Sequence, residues 1–240
     1  VNYSELYTSR LQEFLPNNSI LNLGISGFSL QEHYNIVMDY IKTNKPQKVF
    51  LQLCVLNDFL TAQENEYGAN EWLVENSDLY RLIWFANNED DESSKIQGRW
   101  ILPFSKSLKY NKTYNLLDKN KSKEKREILA YTYQKLSSLT KELKKREIEF
   151  IVILIPTKEQ VYSAYFNSLI NNSKIKKDDI NLGFISSYLF KISSTRFKLI
   201  DVLEHFRKKK KMLYFERDEH LNKFGHDYLA RIIAECETKI

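Results

Sequence analysis

Two apolar runs that do not alternate constrain this chain most. Residues 48–55 contain Val49-Phe50-Leu51 and Leu53-Cys54-Val55 around one glutamine, and Phe150-Ile151-Val152-Ile153-Leu154-Ile155 has no polar break. A strand with one face in water alternates apolar and polar residues. A strand covered on both faces has no such need, and that environment belongs to parallel sheets between helical layers. Phe197-Lys198-Leu199-Ile200-Asp201 reads as a third strand, and Ser19-Ile20-Leu21-Asn22-Leu23 as a further short one ended by Gly24.

Between the runs, apolar residues return at helical spacing. Residues 3–14 repeat Leu6, Leu11 and Phe14 and stop before Pro16. Ser29 with Glu32 three residues on is a capping box, which opens a helix to Thr43 that buries Tyr34, Val37, Met38 and Ile41. Helices are also expected over 124–146, 159–169, 182–193, through Leu203 and Phe206, and over 223–237. Helices alternating with strands that read as parallel predict a three-layer α/β/α sandwich with a mainly parallel, flavodoxin-like sheet, as one domain over residues 1–240. Residues 60–122 depart from this pattern. Trp72, Trp84 and Trp100 are scattered there among Asn, Glu and Lys, around the acidic patch Glu89-Asp90-Asp91-Glu92. That segment reads as an insertion packed over the strand ends, with a mobile loop as the alternative; a long aromatic-rich connection is more often functional than idle.

Composition excludes several classes. No stretch approaches the roughly eighteen apolar residues that a membrane-spanning helix needs. The polar start Val1-Asn2-Tyr3-Ser4 has no signal-peptide pattern, which leaves cytoplasmic and exported locations both open. The net charge of +5 owes much to Arg207-Lys208-Lys209-Lys210-Lys211. Such a run can meet phosphate, anionic lipid or acidic glycan, or it can be the solvated last turn of a helix. No zinc-ligand spacing and no RNA-binding signature accompanies it, so a nucleic-acid partner is not expected. Two cysteines, Cys54 and Cys236, form no disulfide framework, and Cys54 reads as a small buried hydrophobe. No cofactor and no metal are expected, and the oligomeric state is left open.

A parallel sheet of this kind binds its ligand at the carboxyl ends of its strands. Three segments belong there: 24–29, 56–59 and 156–160. Gly24-Ile25-Ser26-Gly27 joins a strand to a helix and can offer free backbone N–H groups, although a dinucleotide site also reads this way. Asn57 sits at the end of the second strand, where an amide N–H aimed at an oxyanion is worth about 2.7–4 kcal/mol; Asn and Asp also suit a plain turn. The sharpest segment is Asp218-Glu219-His220-Leu221-Asn222-Lys223-Phe224-Gly225-His226. A carboxylate two residues from a histidine can hold one ring nitrogen and leave the other as a general base. Asp218, His220 and His226 are also metal-ligand types, while His33 and His205 look isolated.

Taken in order, these segments resemble the SGNH (GDSL-like) hydrolase superfamily. Asn22-Leu23-Gly24-Ile25-Ser26-Gly27 is similar to its second block, Leu56-Asn57-Asp58 to its third, and Asp218-Glu219-His220-Leu221-Asn222 with Gly225-His226 to its fifth. Ile155-Pro156-Thr157-Lys158-Glu159-Gln160-Val161-Tyr162 and the Asp-x-His spacing resemble the branch related to alginate O-acetyltransferases. The resemblance implies a serine esterase or O-acetyltransferase with Asp218 and His220 in a Ser-His-Asp triad, and with Gly27 and Asn57 as oxyanion donors. The family's first block, Gly-Asp-Ser on the first strand, is not in this sequence, so the nucleophile is expected upstream of Val1. Ser4 and Ser26 do not follow a strand in such a turn, and the glycine often found before the third-block asparagine is replaced by Val55 or Leu56. The implied substrate is an acylated small molecule, lipid or glycan, with O-acetyl groups of a glycan favoured. The alternative is a non-catalytic carbohydrate-binding or scaffold domain on a degenerate fold of this kind; metal-dependent hydrolysis is a third reading.

Overall fold

The computed structural model describes residues 2–25, 28–55, 58–59, 117, 119, 122–171, 176–216 and 220–238. Three parallel strands, β1 (Lys48–Cys54), β2 (Glu149–Ile155) and β3 (Lys198–Asp201), form one sheet in the order β1-β2-β3. The register pairs Lys48 with Glu149 and Cys54 with Ile155, then Ile151 with Lys198 and Leu154 with Asp201. Around the sheet lie α1 (Tyr7–Phe14), α2 (Leu30–Thr43), α3 (Ser122–Lys145), α4 (Lys158–Val161), α5 (Ser163–Asn171), α6 (Phe184–Ser193), α7 (Leu203–Arg207) and α8 (Lys223–Thr238).

The layers follow from β2. Phe150, Val152 and Leu154 point into one core with Leu30 and Ile41 of α2, Leu136, Leu139 and Leu143 of α3, and Leu189 of α6. Ile151, Ile153 and Ile155 point to the other face, into a core with Leu11 of α1, Phe206 of α7 and Leu229 and Ile233 of α8. An unalternated strand thus feeds two cores at once because successive side chains face opposite ways. The expected α/β/α sandwich is what forms. Ser29 and Glu32 make the expected capping box, and Ile41 is buried while Tyr34, Val37 and Met38 are partly buried.

Four expectations need correction. Residues 19–23 form no strand: Leu21 is 60% and Leu23 38% exposed, and nearby side chains rather than a ladder take up the backbone, with Ile20 N–H donating to Gln12 and Gly24 N–H to Asn22. A strand is made by its neighbour, and an apolar run with no neighbouring edge stays irregular. The helix expected over 159–169 is interrupted at Tyr162, whose backbone is extended (φ −115°, ψ 110°) and whose hydroxyl accepts the Leu213 N–H. In the basic run only Arg207 belongs to a helix; Lys208 caps α7 and Lys209–Lys211 lie beyond it. Cys54 is half-buried rather than a fully covered hydrophobe. Of the expected insertion over 60–122, only Leu117, Lys119 and Ser122 lie within the described residues.

Candidate active site

Buried polar residues mark one end of the sheet. Of the nine buried polar or charged residues among those described, six (Ser29, Asp58, Thr157, Lys158, Glu159 and Gln160) lie at the carboxyl ends of β1 and β2. Desolvating such groups is costly without partners, so their concentration here directs attention to this end.

The segment carrying His220 is built from its base. Tyr214 and Leu221 form an antiparallel bridge, Phe215 N–H donates to the His220 carbonyl at 3.0 Å, and Asn222 N–H donates to the Leu213 carbonyl at 2.9 Å. The Asn222 side chain works in both directions. Its amide donates to the carbonyls of Met212 and Tyr214, and its oxygen accepts the N–H groups of Phe224 and Gly225, two unpaired donors of the first turn of α8. Gly225 is dictated by space, because a Cβ there would lie 2.1 Å from the Leu213 carbonyl oxygen. His220 itself is exposed at the end of this hairpin base.

Two residues from the β2 end hold the same hairpin. Tyr214 O–H donates to the Pro156 carbonyl at 2.6 Å. Lys158, 2% exposed, donates its ammonium to the carbonyls of Phe215 and Glu216 at 2.7 and 2.8 Å, and the charge sits 4.3 Å from the Tyr165 ring centre. The capping box of Thr157 and Gln160 fixes the turn from which Lys158 projects. A buried ammonium satisfied by carbonyls and a ring face is a strong clamp, since charged donors make about twice the bond of neutral ones.

His226, in the first turn of α8, joins this region to α1. Its Nδ1 accepts the Tyr7 N–H at 3.3 Å, and its ring stacks on the Tyr7 ring. Burial lowers its pKa from 6.5 to about 4, and the nearby charge of His220 adds to the effect. Its imidazole is therefore neutral at pH 7, as an acceptor must be. Burial pushes the Tyr7 hydroxyl up to about 12, so it stays protonated.

At the end of β1, Asp58 is almost fully buried. Its carboxylate accepts the Cys54 N–H, and the His33 Nε2 lies 3.7 Å away. Burial raises the Asp58 pKa, while His33 and the Cys54 N–H pull it down without cancelling that effect. His33 is therefore not the isolated histidine its sequence neighbourhood implies.

Among the expected site residues, Gly27, Asn57 and Asp218 lie outside the described residues, as does Ser26; His220 is described. Among the described residues no three His, Cys, Asp or Glu side chains gather as metal ligands. Sequence reasoning named the segment of Lys158 and missed its role, for which the capping box at a strand end was the available signal. It missed the His33–Asp58 pair because the two meet only through the antiparallel return of α2 against β1.

A family model for the SGNH hydrolase-like domain of the acetyltransferase AlgX matches residues 115–239, just over half of the chain. The chain belongs to this SGNH hydrolase-like family. The matched span covers β2, β3, Lys158 and the hairpin with His220, whereas Gly27 and Asn57 fall before it. No curated protein and no solved structure shows significant similarity to the chain.

Proposed function

We propose that this SGNH hydrolase-like domain carries out ester hydrolysis or O-acyl transfer through a Ser-His-Asp triad, with O-acetyl groups of a glycan as the substrate class. The observation that carries the reading is the family match over a span in which His220 stands at the base of a clamped hairpin at the carboxyl end of a parallel sheet. In this reading a serine supplied ahead of Val1 attacks the ester carbonyl carbon while His220 takes its proton. Asp218 orients His220, and the Gly27 N–H and the Asn57 amide bind the oxyanion. Collapse of the tetrahedral intermediate breaks the bond to the alcohol oxygen, which leaves with the proton from His220. Water or an acceptor hydroxyl then attacks the acyl-serine and gives its proton to His220, which passes it to the serine oxygen as the acyl–oxygen bond breaks and the serine is regenerated. The hairpin and its clamps support this assignment, because a general base works only when held within hydrogen-bond reach of its proton.

The test uses the protein with its native upstream segment. A fluorophosphonate is expected to label one serine there, and p-nitrophenyl acetate to be hydrolysed. His220→Ala should lower kcat by at least about 10³-fold, and Asn57→Ala by about 10²–10³-fold. Absence of labelling and of turnover would overturn the reading in favour of a non-catalytic carbohydrate-binding or scaffold domain.

A further inference from the structure

The charges at the two ends of the sheet are treated differently. At the amino ends of the strands, lysines meet carboxylates: Lys48 reaches Glu149 and Glu237, Lys198 reaches Glu237, Lys45 reaches Glu147, and Lys145 reaches Glu142. At the carboxyl ends, Lys208, Lys209, Lys210 and Lys211 are exposed and none has a carboxylate partner among the described residues; nor does Lys223, at the start of α8. Arg207, by contrast, is tied to Glu204 at 2.8 Å. Two of these lysines lie against an aromatic ring that is itself open to water, and Lys209 sits over the partly buried Tyr228 ring. The ammonium of Lys211 lies 3.0 Å and that of Lys223 5.3 Å from the centre of the Phe224 ring, which is 39% exposed, and Phe215 on the same hairpin is 40% exposed.

The geometry points to an anionic lipid surface as the partner of this face. Lysines are compact charges on flexible stems and do not impose the planar fork with which arginine reads a single carboxylate or phosphate. The two cavities described among these residues lie elsewhere, along α1 and beside Lys119. Phe215 and Phe224 have no polar group with which to read a sugar, whereas their rings gain by leaving water for the headgroup boundary. Lysines beside an exposed phenylalanine ring thus match a membrane whose headgroups carry the charge. Docking there would turn the His220 hairpin toward the lipid surface.

Sedimentation with vesicles tests this, using the chain as it stands. Binding is expected to vesicles of phosphatidylcholine mixed with phosphatidylglycerol, but not to phosphatidylcholine alone, and should weaken as salt rises. Replacing Lys208–Lys211 together by Gln should reduce partitioning by roughly fivefold per lysine, and Phe224→Ala should reduce it further. A control that replaces the exposed Lys123, Lys141, Lys144 and Lys191 by Gln makes the same change in net charge elsewhere and should leave binding in place. Equal binding to both vesicle types, equal losses in the two lysine variants, or binding to a soluble polyuronate but not to vesicles would overturn the proposal. None of these readouts depends on catalysis.

Discussion

The two ends of the sheet solve the same problem, buried charge, in opposite ways. At the amino ends, Glu237 at the close of α8 receives Lys48 and Lys198, which join β1 and β3 to one helix. Burial alone would raise its pKa, but the lysines outweigh burial and hold it below the ordinary range. That arrangement is closed: opposite charges meet and nothing points outward. At the carboxyl ends, a buried lysine is spent on backbone carbonyls, a buried aspartate keeps a raised pKa, and a histidine is held neutral. The difference teaches where this fold ties its elements to one another and where it uses buried polar groups to hold loops in place.

The largest effect is expected from Lys158→Met. The substitution keeps much of the volume but removes two charged hydrogen bonds and a contact with the Tyr165 face, leaving the Phe215 and Glu216 carbonyls to find other donors. About 3 kcal/mol of stability should be lost in urea unfolding. Amide exchange should rise first in residues 213–222 rather than in β2, since the clamp grips the hairpin. If exchange instead rises evenly through the sheet, the carboxyl end is structural in the same sense as the other end. Glu237→Gln comes next. It leaves two partly exposed lysines facing a neutral amide and should cost about 2 kcal/mol, with no change in exchange at the hairpin.

Much of this contrast can be read in the sequence, and the failures have physical causes. β1 and β2 were legible because burial on both faces removes the need for alternation, and α2 because Ser29 and Glu32 announce its start. Residues 19–23 misled because composition reports that a segment can be a strand, while a neighbouring edge decides whether it becomes one. His220 stands out in the sequence by its local Asp-x-His pattern. His33 and Asp58 were not, because 25 residues and a turn of the fold separate them and no local spacing encodes their meeting. Tyr7 and His226 meet across 219 residues, which is equally invisible to any window along the chain.

That contact gives the third prediction a sign. The folded pKa of His226, about 4, lies below its unfolded value of 6.5, so the neutral form is the one the fold prefers. Its contribution is full above pH 6.5 and is lost as the pH falls from there toward 4. After allowance for partial solvent screening, about 2 kcal/mol should disappear over that window. His226→Asn keeps an acceptor near the Tyr7 N–H and does not titrate, so urea midpoints measured across the window should flatten in the variant. Unchanged acid sensitivity would assign it to other groups.

The smallest effect separates the two ends most cleanly. Asp58 has a raised pKa, so the fold penalises its ionised form, and its stability contribution improves as the pH falls; Glu237, with a lowered pKa, loses stability over the same descent. Asp58→Asn replaces the carboxylate by a neutral group of the same shape that can still accept the Cys54 N–H. Stability at pH 7 should therefore change by less than about 1 kcal/mol, with a gain as the expected direction. A loss as large as that of Glu237→Gln would mean that His33 stands against Asp58 as a full ion pair. The carboxyl end would then close on itself just as the amino end does. A small gain leaves Asp58 as a residue held in an unfavourable state, a cost with no stabilising return, and that is what the proposed catalytic role of its sequence neighbour Asn57 would lead one to expect.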